Sequence, residues 1–182
     1  MMDANEREVY RAAIQGDREA FEMIIRTQSR PLFAIAYGIL QNREEAEDAV
    51  QDALVKAWKS RWRVRDPEKF PAWLCMIARH RARDVFRKRK NAPLLQETDS
   101  SQTTDMSYGS NTPDLDKQLH SALASLPELH REALSLRYLE EMDYATIENR
   151  LGLTNGSLRG ILGRALASMR KQLKPALASE QP

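Results

Sequence analysis

Apolar positions recur along this chain at steps of three and four, which is the period of a buried helix face. Asp17 is placed to cap a helix whose core positions are Ala20, Phe21, Ile24 and Ile25. Pro31 is placed as the first residue of a second helix, with Phe33, Ala36, Tyr37 and Leu40 on one side. Asn42 and Glu45 have the spacing of a capping box. The helix they open carries Ala46, Ala49, Val50, Ala53, Leu54, Ala57 and Trp58 as one stripe. Asp66 and Pro67 then signal a fresh start, followed by Phe70, Trp73, Leu74, Ile77 and Ala78.

The period stops between Asn91 and Pro113. That stretch, NAPLLQETDSSQTTDMSYGSNTP, is rich in Ser, Thr, Asp and Asn and holds no Lys or Arg. Its composition reads as a flexible, mildly acidic linker. So long a patternless segment marks a boundary between two domains and permits either an open or a packed pair. Beyond it the helical period resumes with Leu115, Leu119, Leu123 and Leu126. Pro127 opens a helix containing Ala133, Leu134, Leu136, Tyr138 and Leu139. Asp143 caps a short helix to Leu151, Gly152 makes a turn, and a last helix runs from Thr154 to about Leu173. The expected fold is therefore all-α: two small helical domains joined by a flexible linker. The expected division is 1–90, linker 91–113, 114–175, and a tail 176–182.

Composition narrows the class. Of 182 residues, 42% are hydrophobic and 30% charged, which suits folded domains rather than disorder. A single cysteine, Cys75, allows no internal disulfide and suits a reduced cytoplasmic setting. The start of the chain is too charged for a signal peptide, and no apolar run approaches the roughly 20 residues that span a bilayer. No P-loop, HExxH or nucleophile elbow is present. His130 and Glu132 form an HxE fragment without a downstream PCxxC, so a zinc deaminase is excluded. His120 and His130 read as surface residues. The expectation is a non-enzyme with no metal, cofactor or small-molecule substrate.

Net charge is only +2, so the distribution of charge matters more than its sum. Arg79, Arg83 and Arg87 recur every four residues and share a helix face, within a run that includes His80, Arg81, Lys88, Arg89 and Lys90. Such a row neutralises phosphates. It lies close after a basic connector bearing Arg61, Trp62, Arg63 and Arg65. An aromatic ring among arginines is suited to an unpaired base, and Trp62 is the best stacking candidate. Phe70 and Trp73 read as core. Glu44, Glu45, Glu47, Asp48 and Asp52 make an acidic face. Helix-dipole compensation accounts for the first of these but not for Asp52, so a docking face for a basic partner is the functional reading. The last two helices have helix-turn-helix spacing, with Ile147, Leu151, Leu153, Leu158 and Ile161 inward. That leaves Asn155, Ser157, Arg159 and Arg164 outward, with Glu148 on the buried side.

In their order these segments resemble a group IV (extracytoplasmic-function) RNA polymerase sigma factor of the sigma-70 family, over about Gly16 to Leu173. Glu45 to Leu54 resembles the family's grip on the polymerase clamp helices. Phe70-Pro71-Ala72-Trp73-Leu74, Ile77-Ala78-Arg79 and Asp84 resemble its promoter-melting helix. Ala124 to Pro127 and Leu136 to Glu140 resemble the opening of region 4. Gly156 to Arg159, with Leu162, Arg164 and Ala165, resembles its recognition helix. The resemblance implies an alternative sigma factor that directs transcription initiation at specific promoters. Region 2 would bind core RNA polymerase through Glu47, Asp48, Gln51 and Asp52. It would open the −10 element of promoter DNA with Arg61, Trp62, Arg63, Arg65, Arg79, His80, Arg83, Arg87 and Lys88. Region 4 would read the −35 element with Asn155, Ser157, Arg159 and Arg164. An anti-sigma factor, often membrane-bound, would hold the protein inactive. His80, Glu148, Gly160 and Ile161 depart from the family pattern, and the last three throw −35 contacts mainly onto Arg159 and Arg164. A stand-alone helix-turn-helix regulator would leave the acidic face and melting connector unexplained. A decoy for an anti-sigma factor would usually carry a receiver domain, for which there is no room.

Overall fold

The computed structural model describes residues 2–91 and 113–178, with side chains described over 2–91 and 117–173. The linker expected between Asn91 and Pro113, the position of Leu115 and the tail lie outside the described side chains. Among the described residues every regular element is helical.

The first module is built from α1 (Ala4–Gln15), α2 (Arg18–Leu40), α3 (Arg43–Ser60) and α4 (Phe70–Asn91). Side-chain caps start the first three: Asp3 for α1, Asp17 for α2 and Asn42 for α3. The Asn42 carbonyl accepts the Glu45 amide at 2.9 Å, as the capping spacing requires. Asp66 accepts the amide of Glu68 and starts a 3-10 turn over Pro67–Lys69 that runs into α4.

Two features differ from the sequence pattern. Helix α1 was not signalled, because only Tyr10 and Ala13 of its twelve residues are buried. Tyr10 nevertheless anchors it, its ring 5.4 Å from that of Phe70. Pro31 does not open a helix; it lies inside the continuous α2. Proline in a helix interior removes a hydrogen bond and crowds the preceding turn. Here Ala20, Phe21, Ile24, Leu32 and Ile35 bury on one side and the helix beyond Ala34 is buried all round, and that packing outweighs the local cost.

The second module comprises α5 (Pro113–Ala124), α6 (Glu128–Leu134), α7 (Tyr144–Leu151) and α8 (Asn155–Ala178). A π-helical turn at Ser135–Leu139 follows α6. The extra residue of that turn leaves Leu136 buried and swings Tyr138 outward to 55% exposure, so Tyr138 is not a core residue. Asp143 caps α7 by accepting from the Thr146 amide at 2.8 Å. Gly152 ends α7 in the left-handed region at φ +67°, where a side chain would be strained. Ile147, Leu158, Ile161, Leu162 and Ala165 then close the core between α7 and α8.

The two modules pack against each other. Helix α6 and the π-helical turn lie on α2, and α7 lies on α4. Gly38 lets the two backbones come close: a Cβ there would stand 3.4 Å from the backbone nitrogen of Glu132. Arg131 donates to the Gly38 carbonyl from across the contact. His120 is half-buried, not a surface residue, because its Nε2 lies 3.1 Å from the Tyr37 hydroxyl. His130 is half-buried as well.

Candidate nucleic-acid and polymerase interfaces

Glu47, Asp48, Gln51 and Asp52 all stand exposed on α3. The opposite face is fixed by Ala46, Ala49, Val50, Ala53 and Ala57, all buried. Small residues let α3 press close to its neighbours and point the acids outward. Val55 adds a large apolar side chain, 54% exposed, four residues on from Gln51. The sequence reading missed it. Its signal is an apolar residue out of step with the alanine stripe.

After α3 the chain makes a 3-10 turn at Arg61–Arg63, pinned by buried Val64. Trp62 is 67% exposed, with the Arg63 guanidinium 5.3 Å from its ring centre. An uncovered indole flanked by a cation is the chemistry that captures an unstacked base. Arg63 and Arg65 are also exposed. Arg61 behaves differently. It folds back over Trp58 at 4.0 Å and donates to the Trp58 carbonyl at 2.7 Å, so it braces the turn.

On α4 the arginine row divides. His80, Arg87 and Lys88 are exposed, and Arg87 pairs with Asp84. Arg83 donates to Glu128 at 2.8 Å. Arg79 is half-buried and grips Glu132 with two nitrogens, Nε at 3.0 Å and Nη2 at 2.7 Å from the same carboxylate oxygen. Both acceptors belong to the second module. Phe70 is buried and Trp73 packs at its edge, ring centres 5.2 Å apart, as core residues. Glu132 and Glu128 were not singled out from sequence, because their partners lie 53 and 45 residues away.

Glu132 is fully buried. Burial pushes its carboxyl above the ordinary value, while the Arg79 guanidinium pulls it down and the nearby Glu128 pushes it up. Burial is the larger effect for a carboxylate with 1% of its side chain exposed.

Helix α8 presents Asn155, Ser157, Arg159 and Arg164 to solvent. Asn155 and Arg159 are joined through their side chains. The Asn155 amide donates to Glu148 at 2.5 Å, and its carbonyl accepts from Arg159 at 2.8 Å. Thr154 accepts the Ser157 amide at 3.3 Å. A Cβ at Gly160 would meet the Arg164 guanidinium at 3.2 Å, so the absent side chain gives Arg164 room to lie along the helix. Among the described residues no group of His, Cys, Asp or Glu is arranged to hold a metal. No described helix is long and apolar enough to cross a membrane.

Comparison with known proteins agrees with this layout. The family Sigma-70 region 2 matches residues 24–92, and Sigma-70, region 4 matches residues 116–169. RNA polymerase sigma factor SigV of Bacillus subtilis is 30% identical over 149 residues, covering 82% of this chain and 88% of SigV. The chain belongs to the RNA polymerase sigma factors. SigW of Bacillus subtilis, an ECF sigma factor, is 25% identical over 88% of this chain and 92% of its own. A probable sigma factor, RfaY of Xanthomonas campestris pv. campestris, is 28% identical, and this chain spans 42% of its length. Among solved structures, RpoE in complex with the anti-sigma factor NepR from Bartonella quintana superposes with a TM-score of 0.61 at 26% identity, over 85% of this chain and 96% of that one. CnrH in complex with the cytosolic domain of CnrY shares the fold, with a TM-score of 0.67 at 22% identity over 97% and 99% of the two chains. This sigma factor is of the ECF type and directs transcription initiation at chosen promoters.

Proposed function

We propose that the two modules divide the work of promoter recognition. The first, residues 1–90, docks on core RNA polymerase through Glu47, Asp48, Gln51 and Asp52, with Val55 as an apolar contact among them. Its Trp62 stacks on an unpaired −10 base while Arg63, Arg65, His80, Arg87 and Lys88 hold the backbone. The second module, residues 114–175, places α8 in the major groove at the −35 element, with Asn155, Ser157, Arg159 and Arg164 facing the bases. The protein does no chemistry of its own; it supplies recognition to the polymerase. An anti-sigma factor of the kind bound to RpoE would hold it inactive, at the membrane where that partner is membrane-bound.

The observation that carries this reading is the uncovered Trp62 beside Arg63, on the same module as an exposed acidic α3 face. A duplex-binding regulator needs neither. The test is transcription by core RNA polymerase on a genomic promoter library, with and without the protein. Promoter-dependent transcripts that need the protein are expected, and their loss with Asp48→Lys and Asp52→Lys. Absence of any such transcript overturns the reading.

A further inference from the structure

A cavity of about 470 Å³ lies where α5, the π-helical turn and α8 meet the C-terminal end of α2. Its wall is almost wholly apolar. Leu123, Leu166 and Leu173 line it, and each keeps part of its side chain uncovered. Covering such surface is favourable in proportion to the apolar area removed from water. Tyr138 lines the cavity as well, turned outward by the π-helical turn. Single π turns recur at functional sites, where regular hydrogen bonding is given up to place a side chain. None of the residues assigned above to DNA or polymerase lines this cavity.

Two guanidinium groups break the apolar wall, Arg131 and Arg170. Arg131 donates through Nε to the Gly38 carbonyl, and through Nη1 to the carbonyls of Ala124 and Leu126. Its Nη2 has no partner among the described residues and is left accessible. Neither arginine has an ion-pair partner among the described residues. Burial pushes the Arg131 guanidinium below its ordinary value, against the opposing pull of Glu128 and Glu132. A half-buried cation whose bonds all go to neutral carbonyls is stabilised by an anion.

An apolar chamber with a cation in its wall selects a molecule that is apolar along its length and anionic at one end. The volume falls within the roughly 300–1,000 Å³ of small-molecule sites. A partner helix is too thick for it: one turn, about 5.4 Å long and about 10 Å across, already takes roughly 420 Å³. We propose that the chain binds a free acyl-chain carboxylate here, its tail against Leu123, Leu166 and Met169 and its carboxylate on the open Nη2 of Arg131, with Arg170 adding positive charge. The occupant is a ligand, not a substrate.

The experiment uses the full chain, labelled with carbon-13 at the methionine methyls and titrated with sodium decanoate below its micelle concentration. Decanoate is expected to shift the Met169 methyl and to leave Met23 and Met76, exposed on α2 and α4, in place. Affinity is expected to rise about fourfold for each methylene from octanoate to decanoate, the gain from burying one such group. Decyltrimethylammonium, with the same tail and a cationic head, is expected to bind at least about tenfold more weakly, the usual worth of a hydrogen bond to a charged group. Leu166→Trp fills the cavity and is expected to abolish the shift. Arg170→Glu, at an exposed position, is expected to weaken binding about fivefold and keeps the test open where the first variant fails to fold. Circular dichroism shows which variants are folded. Equal binding of the two head groups, binding that survives Leu166→Trp in a folded chain, or unchanged binding by folded Arg170→Glu each overturns the proposal. A Met169 signal that decanoate leaves in place overturns it too. Phosphatidylglycerol vesicles that retain such an unresponsive chain would make the surface a membrane contact, and chains that vesicles do not retain would leave it to a protein partner. The titration needs neither polymerase nor DNA, so its failure leaves the proposed function standing.

Discussion

Glu148 accepts the side-chain amide of Asn155 at 2.5 Å across the turn between α7 and α8. The bond fixes the start of α8, and Asn155 passes the constraint on by accepting from Arg159. Glu148 therefore has a use beyond filling a position where helix packing favours a small residue. Glu148→Ala is expected to weaken −35 binding while lowering stability by only about 1 kcal/mol, the usual net value of one such bond. Mobility shift on −35 duplexes and urea unfolding check the two halves. A stability loss without any change in DNA binding would assign Glu148 to packing alone.

Arg159 and Arg164 are the cations of the surface proposed to read the −35 element, and the Arg159 guanidinium also lies 5.6 Å from the Tyr144 ring. A bidentate arginine–base contact discriminates by about 1–3 kcal/mol. Arg159→Ala and Arg164→Ala are each expected to relax sequence preference at one or two −35 positions, read by binding to a randomised −35 library. Uniform weakening across all sequences would show phosphate contacts instead.

Trp62 stands almost clear of the fold, so its removal tests DNA contact with little structural cost. Trp62→Ala is expected to leave the unfolding midpoint nearly unchanged and to lower single-strand affinity by about 1–3 kcal/mol, the range for one lost base stack. Tryptophan fluorescence quenching by the strand gives an independent readout. Retained affinity would remove Trp62 from the −10 surface.

Acid dependence is expected to carry the mark of Glu132. Its carboxyl is raised in the folded protein, first by burial. The folded state then binds this proton more tightly than the unfolded one. Its contribution to stability is complete below the ordinary glutamate value of about 4.3 and is lost as pH rises through the higher folded value. Arg79, which acts on it across the contact, and Glu128, four residues before it on α6, set how far that window extends. His120, lowered by its own burial, works in the opposite direction as pH falls. Urea unfolding across this range should show a downward component with rising pH in the wild type that Glu132→Gln lacks. Parallel curves for the two proteins would contradict the assignment.

Much of each module was legible from local signals. Asp17, Asn42, Asp66 and Asp143 cap where their spacing says they should, and the alanine stripe of α3 buries as its period requires. The outward set on α8 was legible too, because a helix that buries Leu158, Ile161, Leu162 and Ala165 must expose Ser157, Arg159 and Arg164. Pro31 was not, because a proline's local penalty is visible in sequence while the long-range packing that overrides it is not. The exposure of Tyr138 was hidden for a related reason: one extra residue in a π-helical turn shifts the period without changing the residue types.

By itself, the sequence determined most of the helices and caps, and it offered the two-module division and the residues to meet DNA or polymerase as expectations. Those follow from short-range rules, where each residue is judged against neighbours three or four positions away. Only the tertiary structure decided which of those residues are occupied. Arg79, Arg83 and Arg87 look equivalent as a row, yet Glu132 buries the first, Glu128 holds the second, and the third pairs on its own helix. Whether a guanidinium faces a phosphate or a carboxylate depends on what the rest of the chain brings to it, and no periodicity records that.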